Sequence, residues 1–383
     1  MTRRTNINQL SKKDGDILDQ MHHFRFVTME QLRMISGYGK SYTFAKAREY
    51  QRVGAVAKKE IVGKSFYKNK DRQGIYMYVK QKGLNFLEKQ GYQTTSTAKE
   101  NRNAKPDRIL AILQTNEVVL ELLPYGWKFL DGRDAKRGRT DFQNAILHGS
   151  LQNPDRSIEY GFYMLMSENN EETIKTIKNQ TPKITGLANY LIVTRSVKAA
   201  KPAMEQLEQE IVKRQAPNIP KLHVGGKLRV FPASFARAYL TISEDNPGIH
   251  EQFLERLGFE LLREDRHPDD TRALAKYQLD EVVRHPEYPG ETFYLANLLD
   301  NDLSQIRAIK TYNKDRYEAY GRKVLILTTE ASFHGEVHRK WLYGPHYIFL
   351  SIHPQHLIDA KEALHPDVSV PDRTLKHQGK SNG

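Results

Sequence analysis

The first hundred residues change their hydrophobic period once, from helical to extended. Residues 12–22 place apolar side chains three or four positions apart, which predicts a helix. A second helix is predicted to begin after Thr28, because Gln31 completes a capping box with it, and to end at Gly37. After a short turn, a third helix is predicted over SYTFAKAREYQRVG (41–54), with Ser41 as its N-cap.

Beyond this helix, apolar and polar residues alternate, which predicts a pair of strands. AVAKKEIVGKSFYKNK (55–70) and GIYMYVK (74–80) flank a polar turn, and the helix QKGLNFLEKQG (81–91) follows. Two helices joined by a short Gly-bearing turn form a helix-turn-helix pattern, and the hairpin after them corresponds to a wing. We therefore predict a winged helix-turn-helix whose recognition helix is 41–54 and buries Phe44.

Charge is concentrated in this first part of the chain. The formal net charge is +13, with 59 Lys+Arg and 46 Asp+Glu in 383 residues. Residues 1–105 contain 22 basic and 9 acidic side chains, and the remainder contains 37 of each. A basic module joined to a neutral body is typical of a polyanion-binding protein.

The composition excludes several other classes of protein. The chain has 0 Cys, which removes disulfide scaffolds, thiolate zinc sites and cysteine nucleophiles and fits a reducing compartment. It has no apolar run near the roughly 18 residues of a membrane span, and MTRRTNINQLSKKDGD lacks the apolar core of a signal peptide. We expect a cytoplasmic protein that does not bind a membrane.

Double-stranded DNA is the predicted partner of the basic module. Hydroxyl groups at the start of a recognition helix can meet phosphates or base edges, and Lys and Arg pair with phosphate or guanine. The side chains that we expect to be exposed and to contact DNA lie on the recognition helix and on the wing. They are Lys40, Ser41, Tyr42, Thr43, Lys46, Arg48 and Arg52, and then Lys64, Lys68, Lys70 and Arg72.

The rest of the chain predicts two related α/β units. EVVLELLPYGWKFLDGRD (117–134) is similar to EQFLERLGFELLREDR (251–266), and NYLIVTRS (189–196) is similar to KVLILTTE (323–330), with a period of about 133 residues. The predicted organisation runs from the winged helix to a disordered tail. Its segments are a DNA-binding domain at 1–93, a linker at 94–106, α/β units at 107–240 and 241–365, and the tail at 366–383.

Each α/β unit follows the element order of the restriction-endonuclease-like fold. Such nucleases hold Mg²⁺ with an Asp on one strand and a Glu-x-Lys on the next. Asp141 and Glu159 would be the carboxylates here, but Gly161 occupies the lysine position. In the second unit Glu291 matches the Glu, and Phe293 occupies the lysine position. We therefore expect a degenerate core used for assembly or binding, with no catalytic residue, no metal and no cofactor.

The sequence offers little support for other kinds of catalytic site. The sequence contains no Gly-rich phosphate loop, no His-Glu-x-x-His and no nucleophile elbow. His334 and His338 lie four residues apart, but no close carboxylate pair completes a metal site, so we interpret them as surface residues.

The chain resembles the replication-relaxation family of plasmid and mobile-element proteins. The resemblance rests on KKDGDILDQMHHFRFVTMEQLRMISG, on the recognition-helix and wing segments, and on the IEYGFYML and NYLIVT strands, and it covers roughly residues 10–200. It implies a winged helix joined to a degenerate nuclease-like domain, and a role in plasmid replication or DNA relaxation. The strand that reads Phe-x-Glu-x-Asp in the family reads IEYGFYML here, so the resemblance does not extend to a metal-dependent activity.

Three functions stay open at this point. The first is sequence-specific or origin-type binding of duplex DNA for replication, relaxation or transfer of a mobile element, with the α/β units contacting a replication or transfer protein. The second is a Mg²⁺-dependent nickase or nuclease that uses Asp141 and Glu159. The third is a transcription regulator that binds an operator as a homodimer.

Overall fold

The chain divides into two compact units, which we call unit 1 (Met1–Pro106 together with His365–Gly383) and unit 2 (Asp107–Leu364). The computed structural model describes residues 6–61, 74–94, 101, 103–137, 139, 146–166, 170–181, 184, 186–212, 225–263, 267–330 and 334–368. Both units mix helices with strands, so the predicted α+β class is confirmed. Within the described ranges, no helix is long and apolar enough to cross a bilayer.

Unit 1 consists of a helical part followed by a two-stranded sheet and a closing helix. Its elements are α1 (Lys12–His23), α2 (Met29–Ser36), α3 (Lys40–Arg52), β1 (Val56–Glu60), β2 (Ile75–Val79) and α4 (Gln81–Lys89).

The predicted boundaries of α2 are confirmed. Thr28 Oγ1 accepts a hydrogen bond from the Gln31 N–H at 3.1 Å, and Gln31 Oε1 accepts one from the Thr28 N–H at 3.0 Å. Gly37 ends the helix in the left-handed region, with φ 66°. The prediction that Ser41 caps α3 is wrong. The first helical bond of α3 runs from the Thr43 N–H to the Gly39 carbonyl, so the helix begins at Lys40.

The two strands of unit 1 pair antiparallel, with Val56 opposite Val79 and Glu60 opposite Ile75. Val27 and Met77 exchange backbone hydrogen bonds of 3.0 and 2.8 Å, which fixes the α1–α2 connection against the hairpin. The predicted wing tip, with Lys64, Lys68, Lys70 and Arg72, lies in 62–73, outside the described residues.

Unit 2 contains two five-stranded sheets built in the same way. The elements of the first half are α5 (Pro106–Leu122), β3 (Lys128–Asp131), β4 (Gly149–Gln152), β5 (Glu159–Leu165), α6 (Glu171–Gln180), β6 (Asn189–Thr194), α7 (Val197–Val212), β7 (Leu228–Pro232) and α8 (Ala233–Tyr239). Those of the second are α9 (Pro247–Arg256), β8 (Glu260–Leu261), α10 (Pro268–Tyr277), β9 (Glu281–Arg284), β10 (Phe293–Asn297), α11 (Leu303–Lys310), α12 (Lys314–Tyr320), β11 (Val324–Thr329), α13 (Glu336–Trp341), β12 (Tyr347–Ile352) and α14 (Pro354–Leu364).

The strand orders are β3-β4-β5-β6-β7 and β8-β9-β10-β11-β12. In each sheet the first three strands pair antiparallel and the last three pair parallel. The segments that are similar in sequence therefore lie on corresponding elements. One hydrophobic cluster includes Ile192 and Met204 of the first half and Ile306 and Ile326 of the second, so the two sheets share a core.

Individual side chains repeat between the halves as well. Gly126 and Gly258 follow the first helix of each half, with φ 86° and 91°. A Cβ on Gly126 would lie 3.2 Å from Pro154, and one on Gly258 would lie 3.2 Å from Pro286. Since a side chain would be strained at both turns, the same tight connection between helix and strand is built twice.

Candidate nucleic-acid interface

The solvent face of α3 combines basic, hydroxyl and apolar side chains. Ser41, Phe44, Ala45, Arg48 and Arg52 are all exposed, and their spacing of three or four residues places them on one side of the helix. The opposite side, which includes Ala47 and Tyr50, is buried in unit 1. We call these five exposed residues the α3 face.

Three positions of α3 differ from prediction. Thr43 and Lys46, expected to be exposed, are buried at 1% and 7% exposure, and Phe44, expected in the core, is 41% exposed. Thr43 Oγ1 donates to the carbonyl of Gly39 at 3.1 Å, so it serves the helix start. The buried side of the helix is set by polar groups as well as by apolar ones, and this places Phe44 on the outside.

Lys46 belongs to a buried polar cluster with Asp14 of α1. Asp14 is fully buried and accepts hydrogen bonds from Lys46 Nζ at 2.7 Å and from the Tyr50 hydroxyl at 2.9 Å. Burial alone would raise the pKa of Asp14, but the hydrogen bonds from Lys46, Ser11 and Tyr50 outweigh it and hold that pKa well below its usual value. Lys46 is therefore a structural cation that holds α3 against α1.

The cations of the α3 face are exposed and uncompensated within the described part of the chain. The side chains of Arg48 and Arg52 form no ion pair with another described residue, and the same holds for Lys40 at the start of the helix. By contrast, Arg33 of α2 is held by Glu30 at 2.6 Å. Lys82 of α4 extends to the end of α3, with its Nζ 3.8 Å from where a Cβ of Gly54 would lie. Positive charge thus continues past Arg52.

Tyr42 lies at the rim of the α3 face. Its ring packs edge-on against Tyr38, with centroids 4.6 Å apart. Lys13 Nζ lies 4.5 Å from the Tyr38 centroid, and Lys46 Nζ lies 5.9 Å from that of Tyr42. These neighbours orient Tyr42, which is 37% exposed.

Of the two carboxylates considered for a nuclease in unit 2, only Glu159 lies among the described residues. Asp141 lies outside them. Glu159, at the start of β5, pairs with Arg139 at 3.0 Å. A Cβ on Gly161 would lie 2.6 Å from Leu187 and 2.9 Å from Tyr190, so core side chains fill the position of the catalytic lysine.

The second half leaves no more room for that lysine, because Phe293 is fully buried. Glu291 pairs with Lys323 at 3.3 Å. No cluster of three or more His, Asp or Glu side chains suited to a metal occurs among the described residues.

The interpretation of His334 and His338 as surface residues is wrong. They are 1% and 0% exposed, respectively. His338 Nδ1 lies 2.7 Å from the Thr328 hydroxyl, and burial lowers the pKa of His338 to about 3. His338 thus packs α13 on β11, whereas the His334 ring packs edge-on against Phe235 of α8, with centroids 5.1 Å apart.

An ionic network that the sequence did not predict joins the two halves of unit 2. Arg229 of β7 is fully buried and donates to Asp245, to Glu244, and to Asp300 at 3.1 Å. The Tyr160 hydroxyl donates to Asp245 at 2.7 Å. We call these five residues the Arg229 network. Its one sequence signal is an Arg inside the apolar strand LRVFP, where a buried cation requires buried partners.

The network continues along the edge of β7. The Leu228 N–H donates to Asp302 at 3.1 Å, and Asn301 Nδ2 donates to the Val230 carbonyl at 2.9 Å. A segment of the second half thus provides hydrogen-bond partners for backbone groups of β7, the edge strand of the first sheet.

A cavity of about 390 Å³ opens beside this junction. Its side chains are mainly polar and carry both signs of charge. They include Lys227, Glu244, Asp280, Asp302, Ser304 and Gln305. Asp280 accepts hydrogen bonds from the Asn297 N–H at 2.5 Å and from Gln305 Nε2 at 3.0 Å. Burial, together with the charge of Glu244, raises the pKa of Asp280 from 3.8 to about 7.

Asp280 should make the stability of unit 2 depend on pH. Its folded pKa lies above its unfolded pKa, so its contribution is complete below about pH 4 and is lost as the pH rises through about 7. In Asp280→Asn this loss should disappear, and the variant should gain on the order of 1 kcal/mol relative to wild type between pH 5 and pH 8. Denaturant unfolding at both pH values measures this, with exposed Asp315→Asn as the control. If the difference in free energy of unfolding between wild type and Asp280→Asn were the same at pH 5 and pH 8, the raised pKa of Asp280 would be contradicted.

Comparison with family models, curated proteins and solved structures finds no match to this chain. Function is therefore inferred from the residues and their geometry.

Proposed function

We propose that this protein binds duplex DNA through unit 1, with α3 as the recognition helix of a winged helix-turn-helix. The observation that carries the proposal is the α3 face, where Arg48 and Arg52 are exposed and without an ion-pair partner in the described residues. Uncompensated cations on one helix face favour a polyanionic partner, and the major groove of DNA accommodates an α-helix. The antiparallel hairpin that follows α3 is in the position of a wing.

In this proposal unit 2 is a tandem of nuclease-like units without nuclease activity. The order of antiparallel and then parallel strands supports that fold, and the packing around Gly161 and Phe293 disfavours a catalytic lysine. Unit 2 would then serve assembly, as a homodimer or with a replication or transfer protein. The biological setting we propose is replication, relaxation or transfer of a plasmid or other mobile element.

The double variant Arg48→Ala/Arg52→Ala should weaken DNA binding without unfolding the chain. Each Arg that contacts phosphate or base contributes about 1 kcal/mol or more, so the dissociation constant should rise at least 10-fold. The plot of log affinity against log salt should flatten by about two units, because two phosphate contacts are lost. Fluorescence anisotropy with full-length protein and a labelled 30-base-pair duplex at several salt concentrations measures both.

The matched control is Arg272→Ala/Lys276→Ala, which removes two exposed cations from unit 2. It should leave affinity and salt dependence unchanged. Equal losses in the two double variants would mean that net charge, and not the α3 face, accounts for binding. Lys46 is left unchanged in both double variants, because replacing it would destabilise unit 1 and so weaken binding indirectly.

Selection from a library of random duplex DNA distinguishes the roles that remain open. A palindromic motif with half-sites about one helical turn apart would favour a dimeric regulator. An array of direct repeats would favour an origin. Cleavage of supercoiled plasmid with Mg²⁺ that is abolished by Asp141→Ala would support the nuclease instead.

A further inference from the structure

The α3 face contains a small apolar patch, formed by Phe44 and Ala45, among its polar and charged side chains. Phe44 is 41% exposed although it is fully apolar, and Ala45 beside it is also exposed. Ser41 lies one turn before this pair and Arg48 one turn after it. The apolar patch therefore lies in the middle of the surface that would face the major groove of DNA.

The packing of unit 1 explains why Phe44 stays outside. Thr43, Ala47 and Tyr50 take up the buried side of α3, and the Asp14–Lys46 pair sets the rotation of the helix. Nor does Phe44 belong to the aromatic group at the rim, where Tyr42 packs on Tyr38. Its ring is available to a partner.

Base edges in the major groove are mostly hydrogen-bonding groups, and the thymine 5-methyl is their apolar exception. Side chains such as Phe and Ala contact that methyl group, whereas Arg pairs with guanine or phosphate. We propose that Phe44 and Ala45 read thymine 5-methyl groups, so that this protein prefers duplexes with thymine at the centre of its site. This inference rests on the proposed DNA binding and names the base chemistry that it recognises.

Replacing thymine by deoxyuracil tests the inference, because it removes the 5-methyl and leaves every hydrogen-bonding group of the base in place. The probe is the duplex enriched from the random library, or the random pool itself if no sequence is enriched, synthesised once with dTTP and once with dUTP. Full-length protein should bind the deoxyuracil duplex about 4-fold more weakly for each methyl contacted, the value of one buried methylene-sized group.

Two variants identify the side chain that reads the methyl. Phe44→Ala should bind the thymine duplex more weakly than wild type and should lose most of the preference for thymine over deoxyuracil. Ile146→Ala is the matched control, since Ile146 is another exposed apolar residue, 37% exposed, but lies in unit 2, away from the proposed DNA-binding surface of unit 1. It should keep the full preference. Because both side chains are exposed, both variants should fold, which circular dichroism checks.

The outcomes separate the inference from the function on which it rests. If no duplex is bound, the proposed function fails together with the inference. If thymine and deoxyuracil duplexes are bound equally, DNA binding stands and methyl reading is overturned. If Phe44→Ala keeps the wild-type preference, another group reads the methyl and the assignment to Phe44 is overturned.

Discussion

Arg229→Met is expected to destabilise unit 2 by about 3–5 kcal/mol, the cost typical of removing one partner from a buried ionic network. Arg229 is fully buried and donates to Asp245, Glu244 and Asp300. Met fills similar space but leaves those carboxylates without their cation in a low-dielectric interior. Burial raises the pKa of Asp300 although the charge of Arg229 opposes this effect, so the carboxylate depends on Arg229 for its stabilisation.

Tryptophan fluorescence follows this loss selectively, because the two Trp residues, Trp127 and Trp341, both belong to unit 2. Urea unfolding of full-length wild type and Arg229→Met gives the difference in free energy of unfolding. Arg263→Met is the control: its guanidinium pairs with Glu251 at 2.7 Å but is 49% exposed, so it should cost no more than about 1 kcal/mol.

Neutralising the acids tests the cause of the loss. If unpaired charge accounts for the effect, adding Asp245→Asn and Asp300→Asn to Arg229→Met should restore part of the lost stability. A triple variant no more stable than Arg229→Met would indicate that the loss comes from packing alone.

Lys46→Met is expected to destabilise unit 1 by about 3 kcal/mol, because it leaves Asp14 buried without its ammonium partner. The Asp14 carboxylate is fully buried and lies 2.7 Å from Lys46 Nζ. Amide hydrogen exchange in α1 and α3 measures the local loss. Exposed Lys12→Met is the control for removing one positive charge from the same unit.

The same pair predicts an acid limit for unit 1. The folded pKa of Asp14 lies below its unfolded value, so its contribution is present above about pH 4 and is lost as the pH falls below that value. Lys46→Met should lack this acid-dependent step. If Lys46→Met exchanges as slowly as Lys12→Met, the buried pair does not hold α3 on α1.

These results also bear on which cations contact DNA. Lys46 and Arg48 look alike in the sequence, two residues apart on one basic helix. A loss of binding in Lys46→Met should accompany a loss of structure, whereas in Arg48→Ala/Arg52→Ala it should not. Measuring stability and affinity on the same variants separates the two causes.

Local features of the chain were predictable because nearby residues determine them. The capping box of Thr28 and Gln31 forms within one turn, and Gly37 ends α2 because it adopts a left-handed conformation readily. The alternation in β1 and β2 predicted the hairpin. The similarity of residues 117–134 to 251–266 pointed to the corresponding elements of the two sheets, since strand patterns persist in sequence.

The amino-acid sequence was therefore enough to predict the order of the elements, the excess of positive charge in the first 105 residues and the absence of the catalytic lysine. The tertiary structure alone decided the side chains whose partners are distant in the chain. Lys46 is buried because Asp14, 32 residues earlier, lies within 2.7 Å of it, and this rotates α3 so that Phe44 faces solvent. Arg229 is compensated by Asp300, 71 residues later, across the junction of the two sheets. Periodicity records which positions are apolar, but the burial of a charge depends on a partner that only the folded chain brings within hydrogen-bonding distance.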